Sequence, residues 1–374
     1  MRLLDRYLEQ AVAARASDLH FDPDGGSLTI RARVDGRLTY LPAPPPGVTD
    51  AMLTRLRLLA CVDLGQRLHP QDGHFSFSSA GRRIDARAAF LPVQGGERIT
   101  LRFIDEGSAA LAIDELGMHR KDRGLLETAL ERPAGLIIVA GPTGSGKTTT
   151  LYACIQHLRR GDTSIVTVED PVERELEGIA QVAVDEAGSC GFASVLRAML
   201  RHDPDIIMVG EMRDCESARI ACRAALTGHR VLTTVHATDC REVRTRLLDM
   251  DVPDYLLSAT LTLVVAQRLV RRVCAHCAAT EPVDAFTYAL YRSIGLEPPK
   301  EVAMPRGCNS CSDTGYRGRI ALFDTLAFDD SGRARHTQAD QVHRGRSLLA
   351  AGLREIAAGR TTTREVLAQC PDPR

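Results

Sequence analysis

The segment GPTGSGKT, residues 141–148, has the residue types and spacing of a loop that binds phosphate groups. It fits the pattern G-x-x-x-x-G-K-[ST] and lies between an apolar run, LIIVA, and a helical segment, TTLYACIQHL. In such a loop, glycines let backbone N–H groups wrap the phosphates, a lysine reaches the β and γ oxygens, and a hydroxyl holds Mg²⁺. We therefore predict that Lys147 binds phosphate and that Thr148 binds Mg²⁺.

The alternative for this loop is a glycine-rich turn with a solvated lysine. Lys121, Lys147 and Lys300 are the only lysines in a chain that otherwise uses arginine, and one of them stands where a compact ammonium group is needed. This placement supports a functional lysine. The predicted nucleotide-binding residues are Gly141, Pro142, Thr143, Gly144, Ser145, Gly146, Lys147, Thr148 and Thr149.

Acidic side chains follow two apolar runs of the same region. Glu211 comes after IIMVG, and Glu169 and Asp170 come after SIVTV. Acids at the carboxyl ends of parallel strands project into the crevice where ligands bind. Hydrolysis of a nucleoside triphosphate needs a carboxylate near Mg²⁺ and a group that orients the attacking water. We predict that Glu211 and Glu169 share these roles, and the alternative is that they are helix-cap or turn acids.

A histidine follows a further apolar run, in VLTTVHATD. At a strand end, the imidazole of His236 could hydrogen-bond the γ-phosphate, which makes it a catalytic candidate; a structural role is the alternative. His229, at the beginning of the same segment, is a further candidate.

Two C-x-x-C pairs, thirty residues apart, have the residue types of a metal site. Cys274 with Cys277 and Cys308 with Cys311 could supply the four thiolates of a tetrahedral Zn²⁺ site. Four buried or redox-active thiols are the alternative. The other seven cysteines have no ligand-like spacing and are interpreted as small apolar residues.

The elements that must position these residues follow from the hydrophobic pattern. The runs LIIVA, SIVTVE, DIIMVG and RVLTTVH predict four strands of a mostly parallel sheet that is buried on both faces. Before them, the pattern predicts a helix up to about Leu19 and a hairpin at Asp35-Gly36. It also predicts a helix capped by Thr49 or Asp50 and three more strands.

Composition limits the class of protein. With 374 residues, 44% hydrophobic and 25% charged, the chain is expected to form two or three globular domains. The net charge of -1 argues against a general attraction to nucleic acid or anionic membranes. No apolar run reaches the length of a membrane span, and isolated cysteines suit a reducing compartment, so we expect a cytoplasmic protein.

A known family shares many of these segments. ASDLHFDP, RARVDG, RRIDARAAFLP, GGERITLRFID, VEDPVE, LRHDPDIIMVGEMRD, AALTGHRVLTTVHATD, AQRLVRRVCAHC and GCNSCSDTGYRGR, together with the phosphate loop, resemble the type II secretion and type IV pilus assembly ATPases. The resemblance runs from about residue 16 to about residue 320, with a weaker match at GLREIAAGRTTTREVL.

The resemblance implies an α/β fold with a RecA-like P-loop ATPase core, an N-terminal α+β domain and a small zinc-binding module. We expect the following boundaries: the N-terminal domain at 1–106, a linker at 107–115, the core at 116–266, the tetracysteine module at 267–320 and a helical subdomain at 321–374.

The resemblance also implies a mechanism and partners. It implies a homohexamer that uses ATP and Mg²⁺ to power pilin or pseudopilin polymerisation, peripheral to the bacterial inner membrane, through platform proteins and without direct nucleic acid contact. Arg87 and Arg102 match arginines that reach the phosphates from the N-terminal domain, and Arg98 is a further candidate. Composition alone favours exposed strand arginines at these positions.

Three departures from the family pattern concern docking and two local motifs. We expect the protein to lack the further N-terminal domain with which longer members dock on a platform protein. Arg174 stands where the family often has tyrosine, and Cys190 lies where related chains usually have Leu-Thr spacing before the phenylalanine.

Two functions of other classes stay open at this point. The first is a nucleic-acid motor of a conjugation or DNA-uptake system, in which the basic run of Arg268, Arg271 and Arg272 contacts phosphates. The second is a scaffold subunit that binds nucleotide without hydrolysing it.

Overall fold

The computed structural model describes residues 2–104, 111–184, 191–328 and 347–370. The chain divides into two compact units, residues 1–109 and 110–374. The first residues of the expected linker at 107–115 lie outside the described residues. Cys190 and parts of the expected C-terminal subdomain also lie outside them. Within the described ranges, no helix is long and apolar enough to cross a membrane.

The first unit is a six-stranded antiparallel sheet with two helices. The strand order is β3-β2-β1-β6-β5-β4. Its elements are α1 (Arg2–Ala13), β1 (Ala16–Asp24), β2 (Ser27–Val34), β3 (Arg37–Tyr40), α2 (Thr49–Leu59), β4 (Gln71–Ser79), β5 (Arg82–Val93) and β6 (Gly96–Ile104).

Alternation along these strands creates one apolar face. Leu19 and Phe21 on β1 and Ile99 on β6 are fully buried and pack in one cluster with Leu8 of α1 and Leu56 of α2. The intervening residues of the same strands form the opposite, polar face, since successive side chains of a strand point to opposite sides. The alternation therefore supplies both a core and a charged surface.

Local predictions for the first unit had mixed outcomes. The hairpin at Asp35-Gly36 is confirmed, with Val34 opposite Arg37. The opening helix was predicted too long, because the chain turns at Arg15 with φ 57 and pairs as a strand from Ala16. The cap prediction for α2 was wrong, since Val48 occupies that position and no side chain caps the helix.

The second unit contains a seven-stranded sheet in the order β15-β12-β7-β11-β10-β8-β9, and a two-stranded sheet of β13 and β14. Its first elements are α3 (Arg120–Glu131), β7 (Gly135–Ala140), α4 (Lys147–Leu158), β8 (Ile165–Glu169), β9 (Ala180–Ala183), α5 (Phe192–Met199), β10 (Ile206–Val209), α6 (Cys215–Leu226), β11 (Arg230–Val235), α7 (Glu242–Asp249) and α8 (Asp254–Thr260). They are followed by β12 (Leu261–Val273), β13 (Ala278–Pro282), α9 (Ala285–Ser293), β14 (Glu301–Pro305), β15 (Tyr316–Ala327), α10 (Leu348–Ala357) and α11 (Thr363–Gln369). Short 3₁₀ helices occupy Ile113–Leu116 and Asn309–Cys311.

The four predicted core strands, β7, β8, β10 and β11, are present and parallel. Alternate residues of β7 enter two hydrophobic clusters, with Ile138 in the cluster that includes helices α5 and α6 and Ile137 in the one that includes α3 and α4. The sheet is thus buried on both faces, as expected for parallel strands with helical crossovers.

Two further strands extend this sheet across the expected domain boundaries. β12 runs from Leu261 to Val273 and pairs in parallel with β7, so residue 266 lies inside a strand. β15 pairs antiparallel with β12 and spans residue 320. The physical reason is the apolar run LTLVVAQRLV, which is almost completely buried and completes the sheet next to the phosphate loop.

Candidate active site

The phosphate loop connects the buried strand β7 to helix α4. Gly146 precedes the first residue of α4 and adopts the left-handed conformation, with φ 89. Because no side chain caps this helix, its first N–H groups and the positive end of its dipole face the loop. This arrangement binds anions, and phosphate is the anion that the loop sequence predicts.

The loop glycines are required by close contacts as well as by backbone angles. A Cβ atom at Gly141 would lie 2.6 Å from the carbonyl oxygen of Gln267, and one at Gly146 would lie 2.8 Å from Nε2 of the same glutamine. Gly144 has φ 77, a conformation that other residues rarely adopt. Thr148 is half-buried in the first turn of α4, while Pro142, Thr143 and Thr149 are exposed.

The ammonium group of Lys147 folds back over the loop. Its Nζ donates to the carbonyl oxygen of Gly141 at 2.8 Å and to that of Pro142 at 3.1 Å. Burial lowers the pKa of Lys147; the negative charge of Glu211 raises it, and Arg268 lowers it further. A partly buried ammonium near a helix N-terminus is well placed to exchange carbonyl partners for phosphate oxygens.

Glu211 belongs to a charged cluster at the carboxyl ends of β8, β10 and β11. His236 Nε2 lies 2.8 Å from Glu211 Oε1, and Arg213 Nε donates to Glu211 Oε2 at 3.2 Å. Arg213 also donates to Asp170 at 2.8 Å. The Glu211 side chain keeps 22% of its surface exposed, so water and a metal ion can reach it. The parallel register of β7, β10 and β11 brings this cluster to the same sheet edge as the phosphate loop.

Gly210 stands where many P-loop proteins have an aspartate, and the backbone explains the difference. A Cβ atom at Gly210 would lie 3.3 Å from the carbonyl oxygen of Val168 and 3.4 Å from the Cα atom of Glu169. The first approach is tighter than an ordinary van der Waals contact, and the second is at its lower limit. A side chain at this position would require the neighbouring backbone of β8 to shift by a few tenths of an ångström, and Glu211 is the acid that follows at this strand end.

Glu169 lies in a different environment from Glu211. Its residue surface is only 2% exposed, and both of its carboxylate oxygens accept hydrogen bonds from buried side chains. Tyr152 of α4 donates to Oε2, while Thr167 at 2.6 Å and Gln181 at 3.0 Å donate to Oε1. Burial and the bond to Glu169 raise the pKa of Tyr152, which keeps its proton on the phenol.

The two candidate histidines lie at opposite ends of β11. His236 follows the strand and contacts Glu211, whereas His229 precedes the strand and bonds through Nδ1 to the carbonyl oxygen of Ala224 at 2.9 Å. His229 therefore closes the turn after α6 at the far edge of the sheet. Of the two, the structure brings His236 to the candidate site.

Sequence reasoning missed several side chains of the site. Arg213 lies two residues after Glu211, and Tyr152 and Gln181 reach Glu169 from other elements. Gln267 had one available signal, because it is a polar residue within the apolar run of β12. Their partners could not be predicted, since these depend on register and crossover packing.

Comparison with known proteins decides the family. Residues 1–368 match the model of the family described as Type II/IV secretion system protein. The chain belongs to this family. This result confirms the resemblance drawn from the sequence, and together with the fold it identifies the chain as a P-loop ATPase.

Individual relatives agree with this assignment. The chain is 41% identical over 375 residues to the type II secretion system protein E of Pectobacterium carotovorum subsp. carotovorum, a match that covers 98% of this chain and 75% of that protein. It is 37% identical over 381 residues to the type IV pilus assembly ATPase PilB of Myxococcus xanthus, a match that covers 98% of this chain and 67% of PilB.

Solved structures support the fold. The Legionella pneumophila ATPase DotB has a TM-score of 0.72 at 23% identity, covering 98% of this chain and 95% of that chain. The pilus retraction motor PilT with bound ADP has a TM-score of 0.64 at 24% identity, covering 99% of this chain and 97% of the PilT chain. The predicted α/β class, with a P-loop core, is confirmed.

In this secretion-family ATPase, Arg87 and Arg102 lie on the polar face of the first unit. They stand directly opposite each other on β5 and β6. The Arg102 side chain is 64% exposed and donates from Nε to Asp18 at 2.9 Å, while Arg98 pairs with Asp22 at 3.0 Å. The register thus places the two family-matched arginines as neighbours on one surface.

The four cysteines of the secretion-family ATPase come together from two connections, β12–β13 and β14–β15. Their sulfur atoms all lie within 4.8 Å of one another, with Cys274 to Cys308 at 4.0 Å and Cys277 to Cys311 at 3.8 Å. Tetrahedral Zn²⁺ with Zn–S bonds of about 2.3 Å separates its sulfurs by about 3.8 Å, so these residues fit the ion.

The backbone around the cluster also favours thiolates. Gly307 donates its N–H to the sulfur of Cys277 at 3.3 Å, and Gly315 donates to that of Cys311 at 3.2 Å. Burial raises the pKa of the Cys311 thiol, but N–H donors and the neighbouring thiols outweigh this and lower it to about 7, while burial and the neighbouring thiols raise the pKa of Cys277 to about 11. The geometry supports metal binding over four unrelated buried thiols.

The basic run of the ATPase is largely internal. Arg268 is 7% exposed and donates to the carbonyl oxygens of Gln267 and Thr238, and burial lowers its pKa. Arg271 donates to both carboxylate oxygens of Glu365, and its guanidinium lies 3.9 Å from the ring centroid of Tyr316. Arg272 is the exposed member of the three, so they form no joint surface for nucleic acid phosphates.

Proposed function

We propose that this ATPase hydrolyses ATP to power polymerisation of pilins or pseudopilins in a type II secretion or type IV pilus assembly system of a bacterial inner membrane. The observation that carries the proposal is the position of Lys147 and Glu211 at one sheet edge, with Glu211 held by His236 and Arg213. The names of the relatives, type II secretion system protein E and PilB, supply the process.

Each side chain of the site has a proposed role. Lys147 and the backbone N–H groups of the loop bind the β and γ phosphates, and Thr148 holds Mg²⁺. Glu211 orients the attacking water, and His236 fixes the carboxylate of Glu211 and senses the γ-phosphate. Glu169, bonded by Tyr152, joins the phosphate-binding helix to β8, and its predicted share in catalysis stays a prediction.

We propose a homohexamer as the working assembly. Arg87 and Arg102 would complete the nucleotide site when the ring closes, which couples hydrolysis to domain movement. Their neighbouring positions on one polar face support a joint role. Platform proteins of the inner membrane are the proposed partners, and through them the hexamer would be peripheral to the membrane on its cytoplasmic side.

ATP, Mg²⁺ and Zn²⁺ are the proposed cofactors. Zn²⁺, held by Cys274, Cys277, Cys308 and Cys311, would supply a structural crosslink between the β12–β13 and β14–β15 connections rather than take part in hydrolysis.

The function is tested by ATP turnover of the Glu211→Gln variant. Loss of the carboxylate charge should lower turnover by about 100-fold or more, while ATP binding, measured separately, stays near that of the unchanged protein. Glu216→Gln is the matched control, because Glu216 is an exposed acid five residues away that pairs with Arg197. Unchanged turnover of Glu211→Gln would remove Glu211 from the mechanism.

The same assay separates the alternatives. Turnover by the unchanged protein excludes a scaffold that only binds nucleotide. Stimulation by DNA, with a steep dependence on salt, would favour the nucleic-acid motor; the burial of Arg268 and Arg271 gives no support for it.

A further inference from the structure

A buried glutamine lies directly under the phosphate loop. Gln267 is 2% exposed and follows Ala266, which pairs with Ala140, the last residue of β7 before the loop. An amide in an apolar strand is costly unless it is hydrogen-bonded. Its position and its bonding therefore need a reason beyond completing the core.

Gln267 contacts both ends of the loop. Its carbonyl oxygen lies beside Gly141 at the start of the loop, so close that a Cβ atom there would be 2.6 Å away. Its side-chain Nε2 lies beside Gly146 at the end of the loop, 2.8 Å from the position of a Cβ atom. A single residue thus packs against both glycines from the strand beneath them.

A hydrogen bond joins this glutamine to the helix that follows the loop. Thr150, which is fully buried in the first turn of α4, donates from Oγ1 to Oε1 of Gln267 at 2.7 Å. A helical threonine can instead bond to the carbonyl of its own preceding turn. Donation to Gln267 ties the start of α4 to β12, 117 residues further along the chain.

We propose that Gln267 is a positioning residue for nucleotide binding, which holds the phosphate loop in its binding geometry through Thr150 and Gly146. A loop that is already fixed loses less conformational freedom when phosphate binds, so its affinity is higher. The proposal rests on nucleotide binding in the proposed function and is independent of the machine that the ATPase serves.

The test compares Mg-ADP dissociation constants of Thr150→Val, Gln267→Leu and the double variant. Each single change removes one buried hydrogen bond and should weaken ADP binding about 3- to 10-fold. The double variant should bind ADP no more weakly than the weaker-binding single variant, because both changes remove the same hydrogen bond. Thr150→Ser keeps the donor and should bind ADP normally.

Thr262→Val is the control for a general loss of stability. Thr262 lies on the same strand β12 and donates to the carbonyl oxygen of Leu136 at 2.8 Å, at the other end of β7. This change should lower Tm while the dissociation constant of ADP stays unchanged. If Gln267→Leu does not fold, the ADP affinities of Thr150→Val and Thr150→Ser are compared instead, since only the first of these variants loses the hydrogen bond to Gln267.

Three results would overturn the proposal. The first is normal ADP binding by Gln267→Leu. The second is a fold-loss of ADP affinity in the double variant that equals the product of the two single fold-losses. The third is a loss of ADP affinity in Thr262→Val as large as that in Gln267→Leu. If the unchanged protein does not bind ADP, the proposed function fails along with this proposal; if only the variants behave unexpectedly, the proposed function stands.

Discussion

Lys147 and Glu211 differ from the other candidate residues because each combines a charge with access to the phosphate position. Lys147 is bonded to two loop carbonyls that phosphate oxygens can replace, and Glu211 is partly exposed between His236 and Arg213. Both were predictable from sequence, since a motif or a strand end marked them. The difference between Glu211 and the buried Glu169 was not, because it depends on Tyr152 and other residues of distant elements.

The lowered pKa of Lys147 predicts proton uptake when nucleotide binds. Burial lowers the pKa of the free ammonium, so at alkaline pH part of it is neutral; bound phosphate favours the charged form and raises the pKa again. ADP binding should then take up protons at alkaline pH and not at neutral pH. Calorimetry in buffers of different ionisation enthalpy measures this uptake.

Lys121→Met should leave that uptake unchanged, since Lys121 is an exposed lysine on α3. A binding enthalpy that is independent of the buffer at alkaline pH would show that Lys147 stays fully charged in the free protein.

Among the elements, β12 shows the limit of pattern analysis most clearly. The four strands before it were recognised because each is a short apolar run bounded by turn signals. The long run LTLVVAQRLVRRV has a polar and charged second half, and the C-x-x-C pair after it suggested a separate module. Its pairing with β7 and β15, which gives the loop its support at Gln267, comes from contacts distant in sequence.

The contact between β12 and α11 yields a stability prediction. The Arg271 side chain is 13% exposed and that of its partner Glu365 is 5% exposed, so Arg271→Ala would leave a buried carboxylate without its main cation. We expect the free energy of unfolding to fall by about 3–5 kcal/mol. Arg272→Ala, at the exposed neighbour, should change it by less than about 0.5 kcal/mol. Denaturant unfolding of both variants measures the difference, and equal small effects would contradict the structure.

The β12–β13 and β14–β15 connections carry a prediction about metal. The purified protein should contain one Zn²⁺ per chain, and the Cys277→Ser variant should lose the metal. Loss of the metal should lower the free energy of unfolding by about 2–3 kcal/mol and therefore Tm by about 5–10 °C. The exposed Cys215 offers a control, because Cys215→Ser should keep both metal and Tm. Metal analysis with thermal unfolding makes the measurement, and a metal-free protein of undiminished Tm would refute a structural zinc site.

For the whole molecule, composition predicted the general class and the motifs predicted the family. The near-zero net charge argued against a general attraction to nucleic acid, and Arg268 and Arg271 of the basic run are bonded within the protein. The division into residues 1–109 and 110–374 places the family-matched arginines in one unit and the phosphate loop in the other. The action of these arginines on the phosphates of a ring assembly therefore stays a proposal.

The central claim is that ATP hydrolysis at this loop serves a secretion or pilus assembly machine. Its most direct test is affinity capture of the Glu211→Gln variant with ATP from membranes of its own organism, with a Lys147→Ala variant as the control that binds no nucleotide. We predict that the Glu211→Gln protein retains an inner-membrane platform protein together with pilins or pseudopilins, well above the control. Recovery of DNA or a DNA-transfer coupling protein in their place would contradict the account.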